Sequence, residues 1–401
     1  MKVVLAYSGG LDTSICIKWL QDKYKAKVVT LTLELGEEKK DLKKIEEKAK
    51  KLGAIKTYSI DARNEFVKDY VNPAIKANAL YEGKYPVSTA IGRPLIAKKL
   101  VEIAEKEKAD AVAHGSTGKG NDQVRFDVTV AALNPKLKVI APMREWPMPR
   151  EVEIQYAKEH GIEIPVTVED PYSYDINLWG KSAEAGPLEN PMFEPTEACM
   201  KLTTKPEKAP DKPEYVTIEF EKGIPVGLNG KKLDEIDLIK KLNKIAGAHG
   251  VGRIDMIEDR LVGIKSRETY ECPAATVILE AHKELERLTL TREENLFKEI
   301  LDSKWTQLVY FGLWYEPLKQ DLEAFINETQ KVVSGKVKMK LYKGSCRVVG
   351  RESPNSLYDY GLATYDETDR FDHSAAEGFV KLWGLSSRIA GKRRRKSSKG
   401  G

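Results

Sequence analysis

The stretch that decides the fold is KVVLAYSGGLDTS, residues 2–14. Residues 2–7 are β-branched and apolar without alternation, which is the pattern of a strand buried on both faces. The Ser-Gly-Gly turn at residues 8–10 ends that strand, and the Asp-Thr-Ser run at residues 12–14 favours a helix N-terminus. A buried strand, a glycine turn and a helix N-terminus together predict an anion site, because free amides and the helix dipole point toward the turn. From this local pattern alone, an ordinary βα turn with small residues remains the alternative.

Strand and helix patterns alternate from this stretch to about residue 160. Further strands are predicted at Lys27–Leu33, Thr57–Ile60, Ala109–Ala113 and Lys138–Ala141, and helices at Lys39–Leu52, Glu65–Tyr70, Arg93–Glu107, Asp122–Leu133 and Glu151–His160. Such alternation predicts an α/β fold with a doubly wound parallel sheet, whose ligands bind at the carboxyl ends of the strands. The loops after the first and fourth strands should therefore meet at one edge of the sheet.

The chain beyond residue 160 has a mixed pattern. Residues 165–213 are rich in proline and show little periodicity, which is typical of a linker or a functional loop. Strands are then predicted at Tyr215–Glu221, Val226–Leu228, Arg253–Ile264, Lys336–Tyr342 and Ser345–Gly350, and helices at Ile236–Ala246, Ala274–Leu288, Glu293–Leu301 and Leu318–Val333. This pattern predicts a second, α+β domain.

A last amphipathic helix is predicted at Ala375–Ala390, with Phe379, Leu382, Trp383 and Ile389 on one side. An apolar helix face of this kind needs a surface to pack against. We therefore expect it to be an oligomerisation helix that packs on a neighbouring subunit of a symmetric homo-oligomer.

Composition and charge narrow the class of protein. Of the 401 residues, 41% are hydrophobic and 32% are charged, and no apolar run approaches the ~18 residues of a membrane helix, so we expect no membrane contact. Six of the basic residues lie in residues 391–401, which leaves 60 basic against 61 acidic residues elsewhere. A nucleic-acid enzyme needs a basic face on its folded body, so no nucleic-acid partner is expected. The basic end itself is predicted to be disordered and solubilising.

The four cysteines, Cys16, Cys199, Cys272 and Cys346, are far apart in the sequence and form no CxxC pair. This spacing favours reduced thiols and a cytoplasmic location, and it argues against a zinc or thiol-transfer site. The five histidines are not spaced as a metal pair. No metal site built from protein ligands alone is therefore predicted.

A second glycine-rich stretch, HGSTGKGNDQVRF at residues 114–126, follows the fourth predicted strand. Its glycines allow a ligand to approach the backbone closely. Its polar side chains can hold both ends of a zwitterion, because a carboxylate binds Arg or helix amides and an ammonium group binds Asp. A loop that only caps a helix is the alternative, which is less favoured because so many polar residues crowd at a strand end.

Taken together, the two loops closely resemble those of the argininosuccinate synthase family, a branch of the PP-loop ATP pyrophosphatases. Its motifs are found here as AYSGGLDTS (6–14), ALYEGKY (79–85), RPLIAKK (93–99), residues 114–126, VIAP (139–142), LENP (188–191), HGVGRID (249–255) and GRESP (350–354). Their order and spacing cover nearly the whole chain except the basic end. The resemblance implies a nucleotide-binding domain at 1–165, a synthetase domain for the amino-acid substrates and multimerisation at 166–372, and a C-terminal helix and basic tail at 373–401. It also implies a homotetramer.

The resemblance further implies an activity and a set of site residues. The family ligates L-citrulline and L-aspartate to argininosuccinate in arginine biosynthesis, and it converts ATP to AMP and pyrophosphate through a citrullyl-adenylate. ATP would be bound by Ala6, Tyr7, Ser8, Gly9, Gly10, Leu11, Asp12, Thr13, Ser14, Leu33 and Gly115. Aspartate would be bound by Thr117, Asn121 and Asp122, and citrulline by Tyr85, Asn121, Arg125, Ser173, Ser182, Glu258 and Tyr270. Since Glu258 and Tyr270 lie beyond residue 165, the site should be shared between the domains.

Some positions depart from the family pattern, and some have plainer interpretations. Leu33, Ala90, Ala183 and Asp259 stand where the family often has a small residue, a serine, a tyrosine and an asparagine. From the residues alone, Tyr85 and Tyr270 could be core aromatics, and Glu258 could be half of a surface ion pair.

The chemistry of the resembled reaction suggests roles for two carboxylates. The ureido oxygen is a poor leaving group, so it must first be adenylated, and loop amides with Mg²⁺ would stabilise the departing pyrophosphate. Asp12 is expected to organise the loop or the metal, and Asp122 to orient or deprotonate the aspartate amine. Two rival classes stay open at this point. A tRNA-modifying PP-loop ligase would favour paired cysteines or a basic body, and a non-enzymatic nucleotide-binding protein would not need residues 115–125.

Overall fold

A parallel five-stranded sheet forms the first part of the protein in the computed structural model, which describes residues 1–37, 41–146, 150–162 and 172–397. Its strands are β1 (Lys2–Ala6), β2 (Lys27–Glu34), β3 (Lys56–Asp61), β4 (Ala111–Ala113) and β5 (Lys138–Ile140), in the order β3-β2-β1-β4-β5. The accompanying helices are α1 (Leu11–Tyr24), α2 (Leu42–Lys51), α3 (Arg63–Phe66), α4 (Asn72–Lys76), α5 (Ser88–Glu107), α6 (Asp122–Leu133), α7 (Pro142–Glu145) and α8 (Arg150–Glu159), with a π-helical turn, Val67–Val71, between α3 and α4. The predicted α/β class is confirmed.

Strand β1 lies at the centre of this sheet and is buried on both faces. Val3 and Leu5 pack in one core cluster with residues of α1, whereas Val4 packs in another with residues of α5. This explains why the strand is apolar without alternation. Strand β1 pairs with β2 on one side and with β4 on the other, so the strand order reverses between β1 and β4. Ligands of doubly wound sheets bind at such a point.

The second part of the protein contains two antiparallel sheets. The strands are β6 (Ser173–Asn177), β7 (Gly180–Glu184), β8 (Glu214–Glu221), β9 (Ile224–Leu228), β10 (Lys231–Lys232), β11 (Arg253–Asp259), β12 (Lys265–Glu271), β13 (Gly335–Tyr342) and β14 (Ser345–Glu352), in the orders β10-β9-β8-β13-β14 and β11-β12-β7-β6. The helices of this part are α9 (Glu235–Ala248), α10 (Pro273–Thr289), α11 (Arg292–Tyr310) and α12 (Pro317–Thr329). Helices α9 and α10 pack on the antiparallel sheets, whereas α11 packs on α5, α10 and α12, and α12 packs on α4 and α11. The predicted α+β character is confirmed.

Two element predictions in this part are wrong. The stretch 165–213 is not irregular throughout, because β6 and β7 form an antiparallel hairpin within its described portion. The single long strand predicted at Arg253–Ile264 is a strand that ends at Asp259, and after a turn the chain returns as β12. The β6–β7 and β11–β12 hairpins carry polar side chains on one face. Their sequences therefore lack the alternation of apolar and polar residues that marks a half-buried strand.

The chain divides into two contact units, Met1–Asn355 and Ser356–Gly401. The second unit contains α13 (Tyr360–Ala363), α14 (His373–Trp383) and α15 (Leu385–Ser397). The single helix predicted at Ala375–Ala390 is therefore two helices, which meet at Gly384, a residue that lowers helix stability. The basic end, residues 391–401, was predicted to be disordered, but residues 391–397 belong to α15, and residues 398–401 lie outside the described part of the chain. The domain boundaries at 165/166 and 372/373 remain predictions.

The search for membrane spans gives one finding: none of the described helices is both long enough and apolar enough to cross a bilayer.

Candidate active site

The loop between β1 and α1 is held open by hydrogen bonds among its own residues. The hydroxyl of Ser8 accepts from the Gly10 amide at 3.2 Å, and its Oγ lies 3.1 Å from Thr13 Oγ1. Gly9 has φ of +84°, and a Cβ there would lie 3.0 Å from Ile45 Cγ1. Only glycine meets both conditions without strain. The loop thus presents the N-terminus of α1 toward the carboxyl edge of the sheet, as the sequence predicts for an anion site.

The two glycine-rich loops meet at this edge. Gly115 follows β4, and a Cβ on it would come within 3.1 Å of Thr13 Cγ2. The backbone amide of Ser116 donates to His114 Nδ1 at 3.2 Å, while His114 Nε2 lies 2.9 Å from Asp127 Oδ1. These bonds fix the start of the second loop on α6, and at Gly115 the second loop lies against Thr13 of α1.

Asp122, the first residue of α6, lies between two arginines. Arg93 donates through Nε to Asp122 Oδ2 at 2.9 Å, and Arg125 donates through Nη1 to Oδ1 at 2.9 Å. Burial works to raise the pKa of Asp122, but the two guanidinium groups outweigh it and hold that pKa below its usual value. Asp122 is therefore a fixed carboxylate near neutral pH. Arg93 also donates to Asp175 of β6 at 2.8 Å, which ties α5 to the hairpin.

Arg125 reaches from α6 to the end of α11. Its Nε and Nη2 donate to the backbone carbonyl of Tyr310 at 3.1 and 3.0 Å, in addition to the bond from Nη1 to Asp122. The guanidinium has five N–H donors, so these bonds use most of its fork. Gly312, with φ of +79°, permits this approach, because a Cβ there would lie 2.9 Å from Arg125 Cα.

Glu258 of β11 occupies a buried aromatic niche. It is only 3% exposed, and it accepts hydrogen bonds of 2.7 Å from the hydroxyls of both Tyr270 and Tyr310. Burial raises the pKa of Glu258, although the two hydroxyls oppose that shift. Tyr85 stacks on Tyr270 at 3.9 Å between ring centroids. The interpretation of Glu258 as half of a surface ion pair is therefore wrong.

Asn121 joins the second loop to the β11–β12 hairpin. Its side chain accepts from the Leu261 amide at 3.0 Å and donates to the Tyr310 hydroxyl at 2.8 Å. The second loop, which belongs to the parallel-sheet part, is thereby fixed to the antiparallel part within one contact unit.

One cavity of about 400 Å³ lies between these elements. Its wall includes most of the residues that the resemblance implied: Ala6, Tyr7, Ser8, Asp12, Thr13, Leu33, Tyr85, Gly115, Thr117, Asn121, Asp122, Arg125, Ser173, Ser182, Glu258 and Tyr270. Gly9, Gly10, Leu11 and Ser14 are not in that wall. Leu11 packs in the core, and Ser14 is fully buried, where it donates to the Gly10 carbonyl at 2.6 Å. These four residues support the loop, and any direct contact with ATP from them remains a prediction.

Several wall residues were not assigned from the sequence. They are Arg93, His114, Asp175, Glu184, Arg260, Glu268 and Tyr310, among others. Arg93 lies within the motif at residues 93–99, so the sequence could have identified this basic side chain as a site residue. Tyr310 lies inside the apolar and aromatic run LVYFGLWY at residues 308–315, which is the pattern of an ordinary core segment. Its position could not be inferred without the tertiary structure.

The departures from the family pattern fall at different places. Leu33 is in the cavity wall, at the carboxyl end of β2. Ala90 and Ala183 are completely buried. The exposed Asp259 carboxylate pairs with Lys265 at 2.6 Å, and its backbone carbonyl accepts from Tyr81.

The donor set around the first loop fits Mg²⁺ only in company with a phosphate ligand. Within the described part of the chain, no group of three or more His, Cys, Asp and Glu side chains could hold a metal ion. Asp12 supplies one carboxylate in the cavity wall beside the helix N-terminus. Mg²⁺ in nucleotide sites commonly uses one or two carboxylates plus substrate phosphates and water. The residues present fit that arrangement.

Comparison with known proteins gives a consistent family over both parts of the chain. Residues 2–163 match the model described as "Arginosuccinate synthase N-terminal HUP domain", and residues 172–390 match "Arginosuccinate synthase C-terminal domain". The chain is 59% identical to the argininosuccinate synthase of Oceanobacillus iheyensis over 97% of this chain and 93% of that protein. It is 56% identical to the argininosuccinate synthase of Pyrococcus furiosus over 97% and 94%.

Among solved structures, a predicted subunit of a tRNA methyltransferase from Methanocaldococcus jannaschii aligns with 40% of this chain and 76% of its own, at 17% identity and a TM-score of 0.28. That likeness is too slight to bear on fold or function. The two family models and the near full-length relatives agree with the motifs and with the cavity that those motifs line, and on these grounds the chain belongs to the argininosuccinate synthase family.

Proposed function

We propose that this protein ligates L-citrulline to L-aspartate with ATP, and releases argininosuccinate, AMP and pyrophosphate. The observation that carries the proposal is the single cavity that the phosphate-type loop, the second glycine-rich loop and the Glu258 niche share. The family membership supports it. A protein that only bound a nucleotide would have no need for a niche that places a buried carboxylate opposite the loop.

The reaction is proposed to occur in two displacements. The ureido oxygen of citrulline attacks the α-phosphorus of ATP, the bond from that phosphorus to the bridging oxygen breaks, and pyrophosphate leaves. The amine of aspartate then attacks the ureido carbon and loses a proton, and AMP leaves with the former ureido oxygen. The site accelerates the reaction mainly by orientation, because it holds each nucleophile beside the atom that it attacks.

ATP is proposed to lie along the first loop, with the base toward Leu33 and the phosphates toward the N-terminus of α1. The free amides and the helix dipole at that N-terminus favour the negative charge that develops on the leaving pyrophosphate. Mg²⁺, held by Asp12 together with the phosphates, would supply further charge neutralisation there. Ser8 and Thr13 keep the loop in the conformation that exposes its amides.

Aspartate is proposed to bind at Thr117, Asn121 and Asp122. Asp122 is a poor general base, because the two arginines lower its pKa and so weaken its affinity for a proton. Of the two roles expected for it, we therefore favour orientation: the carboxylate accepts from the substrate ammonium group and directs the amine. A proton that leaves this amine would pass to solvent or to the departing AMP.

Citrulline is proposed to bind between Tyr85, Arg125, Ser173, Ser182, Glu258 and Tyr270. Ser182 pairs in register with both Tyr270 and Asp175, so the hairpin and β12 place these side chains along one wall. Glu258 can accept from the ureido N–H groups, and the resulting polarisation makes the ureido oxygen a better nucleophile. Arg125 has donors left for a substrate group beyond those that it gives to Asp122 and Tyr310.

The test uses citrulline labelled with heavy oxygen in the ureido group, together with ATP, Mg²⁺ and aspartate. Pyrophosphate release should require citrulline, and the label should appear in AMP. Label in pyrophosphate, or label retained in argininosuccinate, would refute the adenylate route. Pyrophosphate release without citrulline would refute the function itself.

Two further properties are proposed with this function. Helix α14 exposes Phe379, Val380, Leu382 and Trp383, of which Trp383 is 72% exposed. An apolar patch of this kind supports self-association, and the family resemblance indicates a tetramer.

A cytoplasmic location is supported by the free thiols of Cys16, Cys199, Cys272 and Cys346.

A further inference from the structure

A buried polar cluster lies outside the cavity wall. It consists of Asn78, His282, Glu286, Lys298, Asp302 and Gln330, which come from the segment after α4, from α10, from α11 and from the end of α12. The four charged or ionisable side chains are between 0% and 7% exposed. Such a cluster needs every polar atom paired, because an unpaired charge in the interior is costly.

The two amides of the cluster are oriented by carboxylates. Asn78 Nδ2 donates to Glu286 Oε2 at 2.6 Å and to Asp302 Oδ2 at 3.0 Å. Gln330 Nε2 donates to Glu286 Oε1 at 2.6 Å. Reversal of either amide would place its oxygen against a carboxylate oxygen, so both orientations are determined.

This orientation determines what His282 faces. Its Nδ1 lies 2.7 Å from Asn78 Oδ1, and its Nε2 lies 2.8 Å from Gln330 Oε1. A neutral imidazole has one donor nitrogen and one acceptor nitrogen, so it could satisfy only one of these two oxygens. An imidazolium donates to both.

The charges of the cluster balance if His282 is protonated. Lys298 donates to both oxygens of Asp302, at 2.8 and 2.7 Å, and lies 3.0 Å from Glu286 Oε1. Two cations then face two carboxylates. Burial holds the pKa of His282 below its usual value, and the cations of Lys298 and Lys76 act in the same direction, while Glu286 and the bond to Gln330 oppose them. The hydrogen-bond pattern nevertheless favours the charged form, because only the protonated ring can donate to both Asn78 Oδ1 and Gln330 Oε1.

The cluster is connected to the cavity through Asn78. This residue has φ of +41° and begins the loop that carries Tyr81 and Tyr85. Tyr81 stacks on Tyr310 at 3.5 Å between ring centroids, and Tyr85 stacks on Tyr270. Those two partners are the tyrosines that hold Glu258. The fixed start of the loop therefore sets the position of the aromatic niche.

We propose that Asn78 is a positioning residue for the citrulline side of the site, and that it is held there by a buried cluster built on an imidazolium form of His282. The part of this proposal that concerns citrulline rests on the proposed function. The part that concerns protonation does not.

The protonation state is tested with the full-length protein labelled with ¹⁵N-histidine. The His282 signals are assigned by their loss in His282→Gln, or by the substitution of the other histidines if that variant does not fold. Both ring nitrogens of His282 should carry a proton from about pH 6 to about pH 8, although a free histidine titrates in that range. A single protonated nitrogen at neutral pH would overturn the imidazolium.

The pH dependence of the free energy of unfolding is an independent test of whether His282 is charged. If His282 is charged in the folded protein, the stability of wild type over His282→Gln is greatest below about pH 6.5 and falls as the pH rises through the folded-state pKa. A neutral His282 would give the opposite slope. Asp302, whose pKa burial raises to about 6, is present in both proteins, as are Glu286, Lys298 and Lys76.

The positioning role is tested with Asn78→Gly, which keeps the positive φ and removes only the side chain. The KM for citrulline should rise about tenfold while the KM for ATP stays within a factor of about two. The matched control is Asn229→Gly, since Asn229 also has positive φ, of 53°, and its side chain accepts from the Thr217 amide in a turn of the second sheet. Equal changes in both KM values, or none, would refute the role of Asn78. Loss of all activity in wild type with citrulline would instead refute the proposed function and leave the protonation result standing.

Discussion

Arg125 takes part in both halves of the cavity, because one guanidinium joins the Asp122 carboxylate to the Tyr310 carbonyl. The sequence analysis expected Arg125 to bind citrulline, since an arginine in this loop can bind a substrate carboxylate. The structure shows the guanidinium fork largely occupied by the protein itself. The Arg125 side chain therefore connects α6 to α11 in addition to any contact with substrate. A substitution at Arg125 should weaken the binding of both amino-acid substrates.

Arg125→Lys tests this view. Lysine keeps the charge but cannot donate along a planar fork to Asp122 and Tyr310 together. We expect the KM values for citrulline and for aspartate to rise about tenfold or more, with little change in the KM for ATP, in steady-state assays of pyrophosphate release. Lys23→Arg, in a surface pair with Glu145, is a control that should change none of the three. A rise confined to ATP would contradict the assignment.

Single residues could be predicted from the sequence where a motif contains them or where the family resemblance extends to them, as it does for Glu258 and Tyr270. Asp12, Asn121, Asp122 and Arg125 came from two compact motifs, and all four are in the cavity wall. Tyr310 has no such signal, because the apolar run around it is the ordinary pattern of a buried helix end. The aromatic pairs around Glu258 depend on contacts between residues that are far apart in the sequence, and these arise only when the fold is complete.

Among the elements, the β1–α1 loop depends on a glycine that meets two demands at once. Gly9 adopts a left-handed conformation and lies against Ile45 of α2. We expect Gly9→Ala to lower the free energy of unfolding by about 1–3 kcal/mol and to raise the KM for ATP, as measured by denaturant unfolding and steady-state kinetics. Gly230→Ala is the control, with φ of +76° and no described atom within 4 Å of the added Cβ. Gly230→Ala should lower the free energy of unfolding through backbone strain but leave the KM for ATP unchanged. Equal changes of that KM in the two variants would contradict the role of the β1–α1 loop in ATP binding.

At this scale the sequence predicted the parallel sheet well and the polar hairpins poorly. Strand β1 is a continuous apolar run, and β2 alternates leucine with buried threonine after two valines; both are β-branched and apolar enough to identify buried parallel strands. The β6–β7 and β11–β12 hairpins line a polar cavity, so their strands contain serine, aspartate, glutamate and arginine. A period of two in hydrophobicity cannot be detected where the inner face is itself polar.

For the molecule as a whole, the exposed apolar face of α14 leads to a prediction about assembly. A chain that ends at Asp372 lacks α14 and α15 and should give a smaller particle than the full chain in multi-angle light scattering. A chain that ends at Ala390 keeps α14 and should match the full chain in both mass and activity. An unchanged mass for the shorter chain would show that other surfaces hold the oligomer together.

The bond from Arg125 to the Tyr310 carbonyl also has a consequence for synthesis of the protein. Translation completes the parallel sheet and both glycine-rich loops long before residue 310 is added. Until residue 261 has been made, Asn121 lacks the Leu261 amide, and until α11 emerges from the ribosome, Asn121 lacks the Tyr310 hydroxyl and Arg125 lacks the Tyr310 carbonyl. A nascent chain can therefore present a formed nucleotide loop while the amino-acid half is still unmade, and ligation becomes possible only once the last partner has docked.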